Sequence, residues 1–236
     1  MQTQSVLICA RTALMYSHII FDLDGTLVES LPGIASALNA ALTGLSLPTH
    51  GDAIVRSFIG DGARKLCMRA AEGQSDDVIN TLHASFLKEY AKTWKTGTLV
   101  YDGIQDLINT LKEKQCKLSV LSNKPHGFTT EIVDHFFPDK PFDLVVGQRE
   151  GINQKPDPSG VHELLSDLSQ SSANSILVGD STIDVVTARN AGINAAAVTW
   201  GYHDKAKLAA VTPKHTAQTI EQLLEILSPK NSPIFR

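Results

Sequence analysis

The sequence contains few cysteines, and no two of them lie close together. Cys9, Cys67 and Cys116 are widely spaced, without the C-x-x-C pair that is typical of zinc sites and redox dithiols. The eight histidines include no H-E-x-x-H motif. These absences argue against zinc or dithiol chemistry and favour buried thiols in a reducing compartment, so we expect a cytoplasmic protein.

Long apolar runs and clusters of basic residues are also missing. No segment approaches the roughly 20 apolar residues that cross a bilayer, and the formal charge is only −4. No stretch concentrates Lys and Arg as a nucleic-acid-binding protein would. We therefore expect a small-molecule partner, with no membrane or nucleic-acid contact, and either a monomer or a homodimer.

The sequence does contain short apolar segments that are bounded by turn-forming residues. Five of them predict strands, at residues 18–23, 117–122, 142–147, 175–179 and 195–200. Helical patterns lie between the later segments, at residues 104–114, 128–136, 159–168 and 183–191. This alternation predicts an α/β fold with a doubly wound parallel sheet and helices on both faces.

The alternation is interrupted after the first predicted strand. Residues 24–117 show no convincing strand, but they contain helical patterns such as the apolar stripe of Val78, Leu82 and Phe86. We predict a small all-helical insertion, the cap, at residues 31–98. The core would then comprise residues 17–30 and 99–236, and residues 1–16 would form an N-terminal extension.

Carboxylates lie at the ends of two predicted strands. Asp22 and Asp24, followed by a glycine, end the first strand, and Asp180 and Asp184 follow the fourth strand one helical turn apart. Ligands of open parallel sheets bind at such strand ends. Each motif alone has a structural alternative, because Asp and Gly also form turns and Asp180 could cap a helix. The coincidence of both motifs favours a shared cation site.

A hydroxyl, an amide and an ammonium group lie at two further predicted strand ends. Ser122, Asn123 and Lys124 close the second strand, and Lys155 lies in a loop that Pro156 and Pro158 stiffen. A serine here could simply cap a helix, and a single lysine is usually solvated. Together with the carboxylates, however, these groups suit Mg²⁺ and a phosphorylated substrate. Transfer of the phosphoryl group through an aspartyl-phosphate is the reaction class they favour.

These motifs together resemble the haloacid dehalogenase superfamily. The matching positions are D-x-D-G-T at residues 22–26, Ser122, Lys155 with Pro156, and G-D-x-x-x-D at residues 179–184. The resemblance implies that Asp22 is the nucleophile and that Asp24 is the general acid and base. It implies that Mg²⁺ is held by Asp22, Asp24 through its backbone carbonyl, Asp180 and Asp184. It also implies phosphate or substrate contacts by Thr26, Ser122, Asn123 and Lys155.

Within the superfamily, the predicted cap resembles that of the phosphoglycolate phosphatase group. The similar segments are residues 27–30, 58–63 and 200–202, whereas Glu29 and residues 101–103 depart from the usual pattern. The resemblance implies 2-phosphoglycolate as the substrate. Pyrophosphatases, sugar-phosphate phosphatases and β-phosphoglucomutase share this fold and remain alternatives. A non-catalytic regulator is a further alternative, although such a protein could have lost catalytic groups that are all present here.

One cap segment is a candidate for specificity. Residues 60–65 join two predicted helices, and the glycines at 60 and 62 would let the backbone approach a small ligand closely. We expect Arg64 and Lys65 to offer charge to a substrate carboxylate, Arg64 in a bidentate manner. The alternative is that both side chains face solvent.

Overall fold

The computed structural model describes residues 15–228, which form strands and helices in alternation along most of the chain. The eight strands are β1 (His18–Phe21), β2 (Val28–Glu29), β3 (Leu99–Val100), β4 (Lys117–Pro125), β5 (Leu144–Gln148), β6 (Ser175–Gly179), β7 (Asn194–Val198) and β8 (His215–Ala217). The ten α-helices are α1 (Leu31–Gly44), α2 (Asp52–Phe58), α3 (Ala63–Ala70), α4 (Asp76–Thr93), α5 (Ile104–Glu113), α6 (His126–Phe136), α7 (Ser159–Asp167), α8 (Thr182–Asn190), α9 (Lys205–Ala210) and α10 (Ile220–Leu227).

Six of the strands form a parallel sheet in the order β5-β4-β1-β6-β7-β8. The central strand β1 pairs with β4 on one side and β6 on the other. Every residue of β1 and of β6 is buried, as expected for strands covered on both faces. The predicted α/β class with a doubly wound parallel sheet is confirmed, and the strand order reverses beside β1.

Two details of the predicted strands are wrong. The segment after the first strand does contain strands, because β2 and β3 form a two-residue antiparallel pair, with Val28 opposite Val100. The sheet also has a sixth strand, β8, which sequence patterning missed. Both errors concern strands of two or three residues, which are too short to show a period-two pattern.

The predicted cap contains the four helices α1 to α4, and β2 and β3 lie at its two chain connections. Helix α4 buries Ile79, Leu82, Phe86 and Tyr90, and its first turn is capped by the Ser75 side chain. The chain after α4 approaches the start of α1 closely. A Cβ built on Gly97 would lie 2.4 Å from the backbone of Gly33, so only glycine fits at this contact.

The ends of the chain lie largely outside the described residues. Of the predicted N-terminal extension, residues 1–16, only Met15 and Tyr16 are described, and Tyr16 is buried with its hydroxyl 2.9 Å from Nε2 of His215. Cys9 lies outside the described residues, whereas Cys67 and Cys116 are buried and free. Within residues 15–228, no helix is long and apolar enough to cross a membrane.

Candidate active site

Three strands of the sheet deliver polar side chains to one edge. Asp22 follows β1 directly, Asp180 follows the neighbouring strand β6, and Ser122 lies on β4. Because parallel strands end at the same edge of a sheet, these groups lie together beside the point where the strand order reverses. The structure therefore brings together the polar strand ends that the sequence singles out.

Three carboxylates form a compact buried cluster at this edge. One oxygen each of Asp22, Asp180 and Asp184 lies within 4.8 Å of the other two. Burial raises the pKa of Asp22 to about 7, although the charge of Lys155 lowers it. Burial, and the charges of Asp22 and Asp184, raise the pKa of Asp180 well above its usual range. Crowded buried carboxylates with only oxygen donors fit a hard divalent cation such as Mg²⁺, which would relieve their repulsion.

Lys155 links two members of this cluster. Its Nζ donates hydrogen bonds to Asp184 Oδ1 at 2.7 Å and to the Leu121 carbonyl at 2.9 Å, and it lies 3.0 Å from Asp22 Oδ1. Burial lowers the pKa of this lysine, but the charges of Asp184 and Asp22 outweigh that effect and raise it. Lys155 therefore places a fixed positive charge beside Asp22, as its stiffened loop predicts.

Asp184 is held by the start of helix α8. Its Oδ2 accepts hydrogen bonds from the Ser181 hydroxyl at 2.6 Å and the Ser181 amide at 3.1 Å, while the Ser181 hydroxyl also accepts from the Asp184 amide. This reciprocal capping box makes Ser181 the N-cap residue. Asp180 does not cap the helix, so its carboxylate stays with the cluster, where it accepts from the Tyr202 amide at 2.6 Å.

The Asp24 carboxylate is held by two side chains, those of Ser30 and Lys124. Its Oδ1 accepts a hydrogen bond from the Ser30 hydroxyl at 2.5 Å, and its Oδ2 accepts one from Lys124 Nζ at 2.7 Å. The Asp24 side chain is 13% exposed and borders the cavity described below. Its carboxylate thus faces the space beside Asp22 and is held in a single orientation.

Lys124 is a buried cation that lies between the core and the predicted cap. Its Nζ lies 4.6 Å from the centroid of the Tyr90 ring on α4, a cation–π contact. Burial lowers its pKa, but the charge of Asp24 outweighs this effect and raises it. Lys124 therefore stays charged, with one carboxylate and one aromatic ring as neighbours.

The remaining predicted core residues have structural partners. Ser122 is 5% exposed and its hydroxyl accepts from the Lys124 amide at 3.3 Å. Asn123 accepts from the Lys155 amide at 2.8 Å and donates to the carbonyls of Lys155 and Gly60, both at 3.0 Å. The fully buried Thr26 donates to Asp180 Oδ1 at 3.4 Å and does not line the cavity. Asn123 thus connects the Lys155 loop to the predicted cap.

A cavity covers this edge of the sheet, between the core and the predicted cap. Its polar wall includes Asp22, Asp24, Ser122 and Lys124. The cap-side wall is apolar and is formed mainly by Ile34, Ile59, Leu66, Phe86, Leu87 and Tyr90, and Phe128 of α6 adds an apolar side chain from the core. Its polar groups are therefore concentrated on the core side, and its shape suits a small ligand with one charged end.

The two cap cations that sequence analysis selects do not line this cavity. Arg64 donates to Asp76 Oδ1 at 3.2 Å and to Asn80 Oδ1 at 3.3 Å, and its side chain is 47% exposed. The Lys65 side chain is 52% exposed and pairs with Asp61 at 3.5 Å. Both belong to the first turn of α3, whose Ala63 and Leu66 face the cavity instead. Neighbouring helical residues point in different directions, which is why the two cations miss the cavity.

Sequence reasoning assigned no role to four residues that build the site: Ser30, Lys124, Ser181 and Tyr202. The Tyr202 hydroxyl accepts hydrogen bonds from the Ser30 amide at 2.7 Å and the Leu31 amide at 3.1 Å, and donates to Glu29 at 2.8 Å. The S-x-x-D spacing of Ser181 and Asp184 is a capping-box signal that could have identified Ser181. No comparable local signal exists for Lys124, because its partners Asp24 and Tyr90 are distant in sequence.

Comparison with known proteins identifies the family. The family model described as haloacid dehalogenase-like hydrolase matches residues 19–198, a span that includes the three clustered carboxylates and Lys155. The chain belongs to the haloacid dehalogenase-like hydrolases.

Known proteins are similar to this chain over most of its length. The phosphoglycolate phosphatase of Rhodospirillum rubrum is 36% identical over 196 residues, which cover 80% of this chain and 81% of that protein. Phosphoglycolate phosphatase 1 of Pseudomonas aeruginosa is 31% identical over 212 residues, which cover 87% of this chain and 78% of the relative. A crystal structure of a predicted phosphoglycolate phosphatase from Haemophilus somnus superposes with a TM-score of 0.84 at 28% identity, covering 90% of this chain and 98% of that one.

The sequence resemblance to the phosphoglycolate phosphatase-like members of the superfamily is therefore confirmed. Family and relatives together identify the chain as a phosphatase enzyme. This result rejects the alternative of a non-catalytic regulator.

Proposed function

We propose that the chain is a Mg²⁺-dependent phosphomonoester hydrolase that works through an aspartyl-phosphate on Asp22, with 2-phosphoglycolate as its substrate. The observation that carries this proposal is the placement of the Asp22 carboxylate between the Lys155 ammonium at 3.0 Å and two further buried carboxylates. Attack by a carboxylate in this setting brings further negative charge to the cluster. A cation bound together with the phosphoryl group would offset that charge, as would Lys155.

In the first half of the reaction, an Asp22 carboxylate oxygen attacks phosphorus. The bond between phosphorus and the leaving oxygen breaks, and its electron pair stays on that oxygen. Asp24 gives a proton to the leaving oxygen, which departs as an alcohol. Asp24 suits this role because its carboxylate borders the cavity two residues from Asp22, and because Ser30 and Lys124 fix its orientation.

In the second half, a water molecule attacks the phosphorus of the aspartyl-phosphate. Asp24 takes up a proton from that water, the bond between phosphorus and the Asp22 oxygen breaks, and inorganic phosphate and the free carboxylate are released. Lys155 and the Ser122 hydroxyl would contact the equatorial phosphoryl oxygens, where negative charge accumulates in both transition states.

Asp22 and Asp180 would hold Mg²⁺ through their carboxylates, and Asp24 through its backbone carbonyl. The metal would neutralise phosphoryl charge and orient the phosphorus towards Asp22. Asp184 would support the site, since both of its oxygens already accept hydrogen bonds from Lys155 and Ser181. This division of roles agrees with the chemistry of Mg²⁺, which is usually bound through only a few carboxylates.

The names of the relatives support 2-phosphoglycolate as the substrate, because proteins at 31% and 36% identity are phosphoglycolate phosphatases. The small, largely apolar space between Asp24 and the cap also favours a short leaving group over a sugar, whose hydroxyls would need hydrogen-bond partners. Pyrophosphate hydrolysis and phosphomutase activity remain the alternatives of the same fold.

A phosphate-release assay with the purified chain and Mg²⁺ tests this proposal. The panel would comprise 2-phosphoglycolate, pyrophosphate, glucose 6-phosphate and β-glucose 1-phosphate, with detection of isomerised sugar phosphate in parallel. We expect 2-phosphoglycolate to have the highest kcat/KM. Isomerisation without free phosphate would instead identify a phosphomutase, and no turnover of any ester would contradict the proposed function.

A further inference from the structure

Lys124 places a positive charge on the wall of the catalytic cavity. In the proposed reaction its only part is to orient Asp24. Among the described residues, it is the only lysine or arginine that lines this cavity. His203 also lines it, but its Nδ1 accepts from the Thr182 amide at 3.4 Å, and burial lowers the pKa of this histidine. Lys155 and the three clustered carboxylates serve the phosphoryl end, so Lys124 is the cation available on the leaving-group side.

The position of Lys124 relative to Asp24 defines what it can reach. Its Nζ is 2.7 Å from Asp24 Oδ2, and Asp24 is the residue that would protonate the leaving oxygen. A substituent one or two bonds beyond that oxygen would therefore come close to the ammonium. An ammonium has three N–H donors, and the contact with Asp24 uses one of them.

Elsewhere on the described lining of this cavity there is no lysine or arginine that could pair with an anion on the leaving group. The cap-side wall consists of side chains such as Ile34, Leu66 and Phe86, and Arg64 and Lys65 lie outside the cavity. A carboxylate buried against apolar side chains without a cation is strongly disfavoured. The Tyr90 ring on one side of Lys124 restricts the ammonium to the space between the ring and Asp24.

We propose that Lys124 is the residue that selects substrates with an anionic leaving group, by donating directly to a carboxylate near the leaving oxygen. This inference rests on the proposed hydrolase function and adds a specificity residue to it. It also assigns substrate specificity to the carboxyl end of β4 rather than to the exposed face of α3. There the Lys124 side chain contacts both Asp24 and Tyr90 of the cap.

A matched pair of substrates, 2-phosphoglycolate and ethyl phosphate, tests this inference in the wild-type protein. Ethyl phosphate has the same chain length as 2-phosphoglycolate but a methyl group in place of the carboxylate. Pyrophosphate serves as a third substrate, because its anionic leaving group is a phosphate. We expect kcat/KM to be about 100-fold higher for 2-phosphoglycolate than for ethyl phosphate, the scale of a charge-assisted hydrogen bond in a desolvated site. A ratio near one would overturn the inference while leaving the hydrolase function intact.

The variant Lys124→Met then identifies the residue responsible. Because Lys124 also orients Asp24, both substrates should lose activity, but the ratio of their kcat/KM values should fall at least about 30-fold. Equal losses on both would show that Lys124 acts only through Asp24 and would overturn the inference. If pyrophosphate instead shows the larger wild-type preference and the larger loss, Lys124 selects a phosphate leaving group and the carboxylate assignment is wrong.

Arg64→Ala is the matched control, because Arg64 is a cation of the same region that lies outside the cavity. We expect its kcat/KM values to stay within about twofold of wild type on both esters. A selective loss on 2-phosphoglycolate in this variant would place specificity on α3 and overturn the inference. Circular dichroism would verify folding, and if Lys124→Met does not fold, the wild-type ratio still decides.

Discussion

Most of the carboxylates at this site have hydrogen-bond partners on both oxygens, and these partners fix the orientation of each side chain. The carboxylate of Asp24 is held by Ser30 and Lys124, and Asp184 is held by Lys155 and Ser181. The two oxygens of Asp22 differ. Oδ1 accepts a hydrogen bond from the Leu23 amide at 2.7 Å, whereas Oδ2 has no hydrogen-bond partner among the described residues. Oδ1 of Asp22 is thus fixed, and Oδ2 is the oxygen that would attack phosphorus in the proposed reaction.

The substitution Asp22→Asn should abolish turnover and leave the fold intact. The amide keeps the shape of the side chain but is a poor nucleophile and loses a charge that the metal requires. We expect kcat to fall by at least about 10³-fold. Phosphate release under saturating 2-phosphoglycolate and Mg²⁺ measures this, with the exposed Asp139→Asn as the control, which should keep wild-type activity. Residual kcat within tenfold of wild type would remove Asp22 from the role of nucleophile.

At the scale of elements, the connection between β2 and α1 fixes both Asp24, the proposed general acid, and the start of the predicted cap. Tyr202, from the loop after β7, binds the amides of Ser30 and Leu31 and the carboxylate of Glu29. Ser30 in turn binds Asp24 at 2.5 Å. The core loop, the cap connection and the proposed catalytic acid therefore form one hydrogen-bonded unit.

The variant Tyr202→Phe should weaken this unit. It leaves the buried Ser30 amide without its partner, which costs about 1–3 kcal/mol of unfolding free energy. It also loosens Ser30 and Asp24, so we expect kcat to fall about tenfold, part of the contribution of a general acid and base. Urea unfolding and steady-state kinetics measure the two effects.

Tyr101→Phe is the control for this pair of measurements. The Tyr101 hydroxyl also donates to Glu29, at 3.2 Å, but among the described residues it makes no hydrogen bond to Ser30 or Asp24. Its effect on stability should be below about 1 kcal/mol, as for a partly exposed hydrogen bond. Equal effects of the two variants would show that Tyr202 acts through Glu29 alone.

The central strand β1 contains a buried histidine that predicts a pH-dependent stability. The two ring nitrogens of His18 lie 2.9 Å from the Ser119 hydroxyl and 3.3 Å from the Ser175 hydroxyl. Burial lowers the pKa of His18 from 6.5 to about 4. The unfolded chain therefore binds a proton between these pH values while the folded chain does not, so stability is lost as pH falls from about 6.5 to about 4.

The variant His18→Gln should remove this part of the pH dependence. A difference of about 2.5 pKa units corresponds to about 3 kcal/mol of unfolding free energy. Urea unfolding of wild type and variant at pH 7.5 and pH 4 measures the difference, and the wild type should lose about 3 kcal/mol more than the variant. An equal loss in both proteins would contradict the buried, uncharged state of His18.

The long apolar strands and amphipathic helices could be predicted from the sequence, because their periodicity is local. The site could be predicted where it depends on strand ends, since parallel topology alone brings Asp22, Ser122 and Asp180 together. The contacts of Lys124 could not be predicted, because its partners Asp24 and Tyr90 lie about 100 and 34 residues away in the sequence. The directions of Arg64 and Lys65 also depended on how α3 packs, which the sequence pattern does not specify.

At the scale of the whole molecule, we expect the three crowded carboxylates at the strand ends to couple the binding of a divalent cation to the stability of the fold. Because Asp22, Asp180 and Asp184 have oxygens within 4.8 Å of one another, a divalent cation should stabilise the folded state. At about 100 times its dissociation constant, Mg²⁺ would contribute about 2.7 kcal/mol, which raises the melting temperature by about 5–10 °C.

Thermal unfolding with and without Mg²⁺ measures this effect. The variant Asp180→Asn removes one carboxylate from the cluster and should lose most of the metal-induced shift. Its metal-free form should be as stable as the metal-free wild type or more stable, because one repulsive charge has gone. The absence of any shift in the wild type, or an equal shift in the variant, would contradict the metal assignment.

The central claim is that Asp22 is transiently phosphorylated, and chemical trapping tests it most directly. Rapid mixing with 2-phosphoglycolate and Mg²⁺, followed by acid quenching and borohydride, reduces an aspartyl-phosphate to homoserine, which peptide mass spectrometry can locate. We predict homoserine at position 22, and none there when the substrate is omitted or when Asp22→Asn is used. Turnover without modification at Asp22, or with homoserine at another aspartate, would contradict the account.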